Sequence, residues 1–199
     1  RAARSAMLAM GCIGVCPVGK ATHAKGTFAS SQAVSELRGR ARLNKPQSVD
    51  KYREEVSELN SLFQRLRIVL VEPSHPGNIG GAARAMKTMG LQRLVLVNPA
   101  RFPDPQADWR AAGAMDVLDS AQLVPDVSTA VAGCHYVVGT SARARAIPWP
   151  AVLARDLGPV LAEQAPDAEI AILFGREDSG LTNEELQRCH THLQIPSSK

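Results

Sequence analysis

The sequence is short of the features that announce several common classes of protein. Its four cysteines, Cys12, Cys16, Cys134 and Cys189, are too scattered to form a disulfide framework. That usage suits a reducing compartment, the cytoplasm being the simplest. No second pair at zinc-like spacing follows Cys12 and Cys16, so no metal site is expected there. No apolar run approaches the ~20 residues of a membrane-crossing helix. The segment Gly77-Asn78-Ile79-Gly80-Gly81 does not fit the dinucleotide fingerprint, no phosphate-loop lysine follows it, and no serine sits in a nucleophile elbow. Loop carboxylates are few (Glu72, Glu177, Asp178), and none is spaced as an acid–base pair. His190 and His192 alternate at the start of a short strand, which favours a surface or core role over metal ligation. Dinucleotide-dependent redox enzymes, P-loop NTPases and serine hydrolases of the usual patterns are thereby set aside.

What is present is a 199-residue chain, 45% hydrophobic, with a formal net charge of +4. That length and composition support one ordinary domain with a real core. The charge is unevenly placed. Residues 1–40 carry six Lys/Arg against Glu36 alone, whereas the remainder carries 17 Lys/Arg against 18 Asp/Glu. The basic balance belongs to the leading segment, so any nucleic-acid contact by the folded part must come from a local patch. Residues 1–64 read as a basic extension, disordered or not native to the folded protein, and a low acid count there would also suit a transit peptide. Within it, Lys51 to Phe63 has a weak helical period. Residues 65–199 read as the folded domain.

The domain is organised around Arg67 to Val97. Ile68 to Val71 is a short, mostly β-branched run, the pattern of a strand buried on both faces. Two prolines, a glycine and an asparagine then turn the chain. Asn78 can cap a helix from Gly80 to Met89, with Gly90 closing it in the left-handed conformation. Leu94 to Val97 is a second strand, completing a β-α-β unit. Further along, Trp109 to Ala114 suits a helical turn and Val117 to Val124 an irregular or extended piece. Asp126 can cap a helix to Ala132. Tyr136 to Val138 is a strand stopped at Gly139. Ala151 to Glu163 suits a helix interrupted at Gly158-Pro159, and Ile170 to Phe174 a strand stopped at Gly175. Thr182 and Glu185 form a capping box for a helix to about His190, before a last strand from His192 to Ile195. The expectation is an α/β fold with a mostly parallel sheet flanked by helices.

In such sheets ligands bind beyond the carboxyl ends of the strands. Three loops fall there: Glu72 to Gly81, Thr140 to Arg145 and Gly175 to Leu181. The glycines that open the first helix suggest a close backbone approach, either to a ligand or in tight packing. Arg84, four residues after Gly80, would sit about one turn into a helix starting there. It can meet a phosphate or ribose, or stand as a solvated helix arginine. Arg143 and Arg145 with Trp149 make a basic loop with one aromatic, compatible with RNA backbone contact and stacking. Arg176 suits an anion or a local salt bridge to Glu177. The residues alone lead to a nucleotide-like ligand and RNA.

Two motifs in order carry a resemblance. Asn78, Gly80 and Arg84 match N-x-G-x-x-x-R, and Phe174, Gly175, Glu177, Gly180 and Leu181 match F-G-x-E-x-x-G-L. Together with V-G-T-S-A-R and R-A-M-K-T-M-G-L, they resemble the SpoU branch of the knotted SPOUT methyltransferases, over roughly Leu66 to Ile195. The nearest resemblance is to bacterial enzymes that methylate a pyrimidine ribose in the tRNA anticodon loop. The resemblance implies S-adenosylmethionine as cofactor, without metal, held at Thr140, Ser141, Ala142, Gly175 and Ile195. It implies Arg84 as catalytic arginine with Asn78 holding its loop, tRNA contact by Arg84, Arg143 and Arg145, and a cytoplasmic homodimer. The family's third motif, a serine-leucine-asparagine turn, is expected just after Ile195. Its absence before Lys199 leads to the expectation of an incomplete trefoil-knot segment, and of weak cofactor binding and no activity by this chain alone. A catalytically inactive RNA-binding or dimerisation module of the same fold is the alternative expectation.

Overall fold

A computed structural model describes residues 45–141 and 149–195. The chain's contacts form two units, and the described residues divide between them at Leu59 and Asn60. A helix, α1 (Lys45–Arg65), runs across that division and exceeds the Lys51 to Phe63 span expected. In the first unit it leaves Tyr52, Val56 and Leu59 exposed. From Asn60 onward everything belongs to the second unit, which holds the sheet.

That sheet has seven strands: β1 (Leu66–Val71), β2 (Arg93–Val97), β3 (Gln122–Val124), β4 (Tyr136–Ser141), β5 (Ala151–Leu153), β6 (Ile170–Phe174) and β7 (Thr191–Gln194). Their order is β3-β2-β1-β6-β4-β7-β5, and every pairing is parallel. Parallel strands need crossover connections, which put helices over both faces. The strand sequences answer to that. In β1, Ile68 and Leu70 enter one core cluster while Val69 and Val71 enter the other. β2 and β6 divide in the same way, with Leu94, Leu96, Ile170, Ile172 and Phe174 on one side and Val95, Val97, Ala171 and Leu173 on the other. Continuous apolar runs are thus period-two strands with two buried faces. Each fully buried Leu or Ile contributes about 1.5–3 kcal/mol.

The first face is covered by α2 (Pro76–Thr88), α3 (Pro105–Ala111), α4 (Met115–Asp119) and α6 (Leu157–Ala162). The second is covered by α5 (Val127–Ala130) and α7 (Asn183–Leu186). None of the helices among the described residues is long and apolar enough to cross a membrane.

Several local expectations are corrected. Trp109 to Ala114 is not where α3 starts: Asp104 caps it by accepting from the Gln106 N–H (2.9 Å), with Pro105 in the first turn. Val117 to Val124 divides into the end of α4 and the strand β3. Gly139 does not stop β4, which runs on to Ser141. Ala151 to Glu163 is not one helix. Residues Ala151–Leu153 pair with β7, Ala154–Asp156 form a single tight turn, and α6 then includes Gly158 and Pro159 in its first turn, where a missing N–H is harmless. The Asp126 cap and the Thr182/Glu185 capping box are present, on helices shorter than expected.

Candidate active site

The carboxyl ends of β1, β6, β4 and β7 lie side by side. The loop leaving β1 begins at Glu72, which adopts a φ of 46°, and passes through Ser74 to the mouth of α2. The helix starts one turn earlier than the sequence suggests. Pro76 occupies its first turn, and the cap is His75, whose Nδ1 accepts from the Gly77 N–H at 3.1 Å. Proline suits that position because its absent N–H would be unsatisfied anyway. Asn78 is therefore inside the helix and is not its cap. Its side chain is directed outward instead, and Nδ2 donates to Glu177 Oε1 at 2.8 Å. At the far end Gly90 takes a φ of 77° and closes α2 as expected, with Leu91 N–H donating to Met86 O.

Gly80 is a glycine for a packing reason. A Cβ there would stand 2.0 Å from the carbonyl oxygen of Ala107, so the close approach is to the backbone of α3. Gly175 is similar: a Cβ would fall 2.1 Å from the carbonyl carbon of Gly180. It lets the loop after β6 fold back on itself, closed by paired hydrogen bonds between Arg176 and Gly180.

This folded loop projects two side chains toward the loop after β1. Glu177 accepts from Ser74 Oγ (2.9 Å), Ser74 N–H (3.1 Å) and Asn78 Nδ2 (2.8 Å). Burial works against its charge, but the bonds from Asn78 and Ser74 outweigh that and hold its carboxyl at about 2. Arg176 does not pair with Glu177. Its Nε and Nη2 reach Glu72 at 2.8 and 2.7 Å, and its guanidinium meets both oxygens of Glu185 at 3.1 Å. The Arg176 bond, the largest influence on Glu72, holds that carboxyl below its ordinary value, and the two carboxylates in turn raise Arg176. The pairing with Arg176 is a second duty for Glu185 beside its capping box, in which it accepts from the Thr182 N–H at 2.7 Å.

The other predicted residues fall as follows. Thr140 and Ser141 end β4, half-buried, in register with Leu193 and Gln194 of β7, and the buried Ile195 follows directly. With Gly175 after β6, they occupy the ends of three adjacent strands. Arg84 is exposed, and no hydrogen bond or ion pair among the described residues engages its guanidinium. Because α2 begins at Pro76, Arg84 is its ninth residue, about 12 Å along the axis from the mouth. The expected single turn is corrected to more than two. Ala142, Arg143 and Arg145 lie outside the described residues. Trp149 is not a free stacking surface: its Nε1 donates to Cys189 O (2.9 Å) and its ring stacks on His192. His192 is buried, whereas His190 is exposed and stacks on Tyr136, so the pair divides between the core and surface roles expected for it. Among the described residues no group of His, Cys, Asp and Glu is arranged to hold a metal.

Two signals for what the sequence reading missed were in the chain. Pro76 marked the true start of α2, and Glu72, the residue after a buried strand, was within reach of the next rim loop.

The profile of the SpoU rRNA Methylase family matches residues 65–199. Over 137 residues the chain is 54% identical to the tRNA (cytidine/uridine-2'-O-)-methyltransferase TrmJ of Sodalis glossinidius, covering 69% of this chain and 54% of that protein. It is 55% identical to the tRNA (cytidine/uridine/adenosine-2'-O-)-methyltransferase TrmJ of Pseudomonas aeruginosa, covering 68% and 53%. Among solved structures, a probable methylase family protein from Haemophilus influenzae superimposes with a TM-score of 0.63 at 48% identity, covering 67% of this chain and 56% of that one. The chain spans about half the length of the curated relatives it matches.

Proposed function

The chain belongs to the SpoU rRNA methylase family, and on that premise we propose that it works in a tRNA 2′-O-methyltransferase. The substrate is a pyrimidine ribose in the anticodon loop, the methyl donor is S-adenosylmethionine, and the enzyme acts as a cytoplasmic homodimer. The names of the relatives support tRNA and the 2′-oxygen. The observation that carries the reading is the hydrogen bond between Asn78 and Glu177, 99 residues apart, which joins both family motifs at one rim of the sheet.

The rim suits the donor. Thr140 and Ser141 bring half-buried polar residues to the end of β4, and Ile195 brings an apolar side chain beside them. Ligands of such sheets bind beyond the carboxyl ends of the strands, where an adenosyl group would sit. When bound, S-adenosylmethionine supplies a methyl group on a sulfonium, open to in-line attack by an oxygen. Asn78, held by Glu177, fixes the loop between β1 and α2. Arg84 orients the ribose 2′-hydroxyl and stabilises negative charge as that oxygen becomes nucleophilic. A guanidinium stays protonated in water, so positioning and electrostatics fit it better than proton removal. Arg143 and Arg145 contribute phosphate contacts in this reading.

The test is direct. This chain, carried in a protein of its relatives' full length, is incubated with tRNA and S-adenosylmethionine, and nuclease digestion with mass spectrometry locates the product. A single ribose-methylated pyrimidine in the anticodon loop is expected. Binding of tRNA without modification would favour the inactive module.

A further inference from the structure

Next to the donor rim lies an open cleft that shares Ser74 and Glu177 with the contact between the two motifs and to which the methyl-transfer reading assigns no ligand. It has a volume of about 550 Å³ and opens between the ends of β2, β1 and β6, walled by Glu72, Ser74, Asn98, Ala100, Arg176 and Asp178. Resting on the methyltransferase reading, we propose that this cleft receives the base of the target pyrimidine, with the Asn98 side-chain amide reading its edge.

Four observations lead there. The volume is that of a small-molecule site and accommodates a nucleoside. Its charge disfavours a phosphate: Arg176 is fully engaged by Glu72 and Glu185, and Asp178 faces the same space. The neutral part of a nucleotide is what remains. Asn98, by contrast, has no side-chain hydrogen bond among the described residues. Its amide sets a donor beside an acceptor, which pairs with N3 and the exocyclic N4 of cytosine or, turned over, with N3–H and O4 of uracil. Finally, Glu72 and Asn98 directly follow the neighbouring strands β1 and β2 and both hold positive φ, 46° and 42°, ordinary for the exposed Asn98 but uncommon for a glutamate. Such backbone is retained where surroundings dictate it, often at ligand sites.

The placement also makes geometric sense. The loop from Gly175 to Leu181 is one wall of the cleft through Arg176 and Asp178, and Gly175 begins it at the donor rim.

The experiment is an amide-shift titration by NMR of the whole chain with cytidine 5′-monophosphate and uridine 5′-monophosphate, repeated on Asn98→Gly. Glycine keeps the positive φ and removes the amide. Both nucleotides should shift Asn98, Ala100 and Asp178 in the parent, and both should bind about tenfold more weakly to N98G, the loss of a two-point hydrogen bond. No shift at these residues at millimolar nucleotide, or unchanged affinity in N98G, would overturn the proposal. So would S-adenosylhomocysteine shifting Asn98 as its principal site. Because binding is read without turnover, nucleotide uptake here by a protein that leaves tRNA unmodified would sink the methyltransferase reading and spare this one. Methylation of tRNA without any nucleotide response in the cleft would do the reverse.

Discussion

Replacing Glu177 by glutamine tests whether this one carboxylate holds the two family motifs together. Glu177 receives three short hydrogen bonds, from Ser74 N–H, Ser74 Oγ and Asn78 Nδ2. In Glu177→Gln one oxygen survives to serve Asn78, and an NH2 then faces the Ser74 N–H. The serine hydroxyl can turn to accept, but the backbone N–H loses its acceptor. Hydrogen bonds to a charged group are worth about 1.5–3 kcal/mol, and solvent at the loop tip screens part of that, leaving a loss of about 1–2 kcal/mol at pH 7. For a domain of this size that lowers Tm by roughly 2–8 °C. The pH dependence is the sharper signature. The Glu177 carboxyl is held at about 2 against an ordinary 4.5. A depressed carboxyl stabilises the fold above its unfolded value, and that contribution disappears as pH falls through the folded one. Chemical denaturation of parent and variant at pH 7, 5, 3 and 2 should therefore show curves that differ fully at 7, almost fully at 5 and by roughly two-fifths of that at 3, and that converge only near 2. Equal stability at pH 7, or a gap that persists undiminished into acid, would refute the reasoning.

Other perturbations follow from the same packing. Gly80→Ala forces a methyl against the Ala107 carbonyl and must separate α2 from α3, so a loss of about 1–3 kcal/mol is expected by urea denaturation. Arg176→Lys cannot span Glu72 and Glu185 together, and thermal unfolding should show a loss of about 1–2 kcal/mol that added salt only partly masks. Cys189 is buried and its thiol is pushed up to about 12, first by burial and then by Glu185. It should resist a thiol reagent at pH 8 in the native protein and react on unfolding. Native-state labelling at Cys189 would show that the α7 region is not packed as described.

The strands that build the core were legible because each is a continuous apolar run, and a run buried on both faces has little else it can be. β1, β2 and β6 are of this kind. β5 was not legible. Its three residues are partly exposed and short, and their strand conformation rests on pairing with β7 rather than on local preference. The loops after β1 and β6 lie at the rim expected of them, since parallel topology dictates where loops lie, although the first is cut short by α2 at Pro76. Thr140 and Ser141 belong to β4, and the rest of the third loop lies outside the described residues. What joins the loops after β1 and β6 was not legible. Glu177 meets Ser74 across 103 residues, Arg176 meets Glu72 across 104, and no spacing in one sequence encodes such pairs. The same limit explains Gly80 and Gly175. The need for a missing side chain was readable, but the carbonyl or peptide filling its place was known only from the fold.

The claim at the centre of this account is that Arg84 acts on the ribose and not on the donor or on the fold. In Arg84→Ala, S-adenosylhomocysteine affinity by calorimetry and single-turnover methylation of tRNA are to be measured on the same protein. The account predicts affinity within about twofold of the parent and a transfer rate lower by about 10²–10³. Undiminished transfer, or a fall in affinity that accounts for the lost rate, would contradict it.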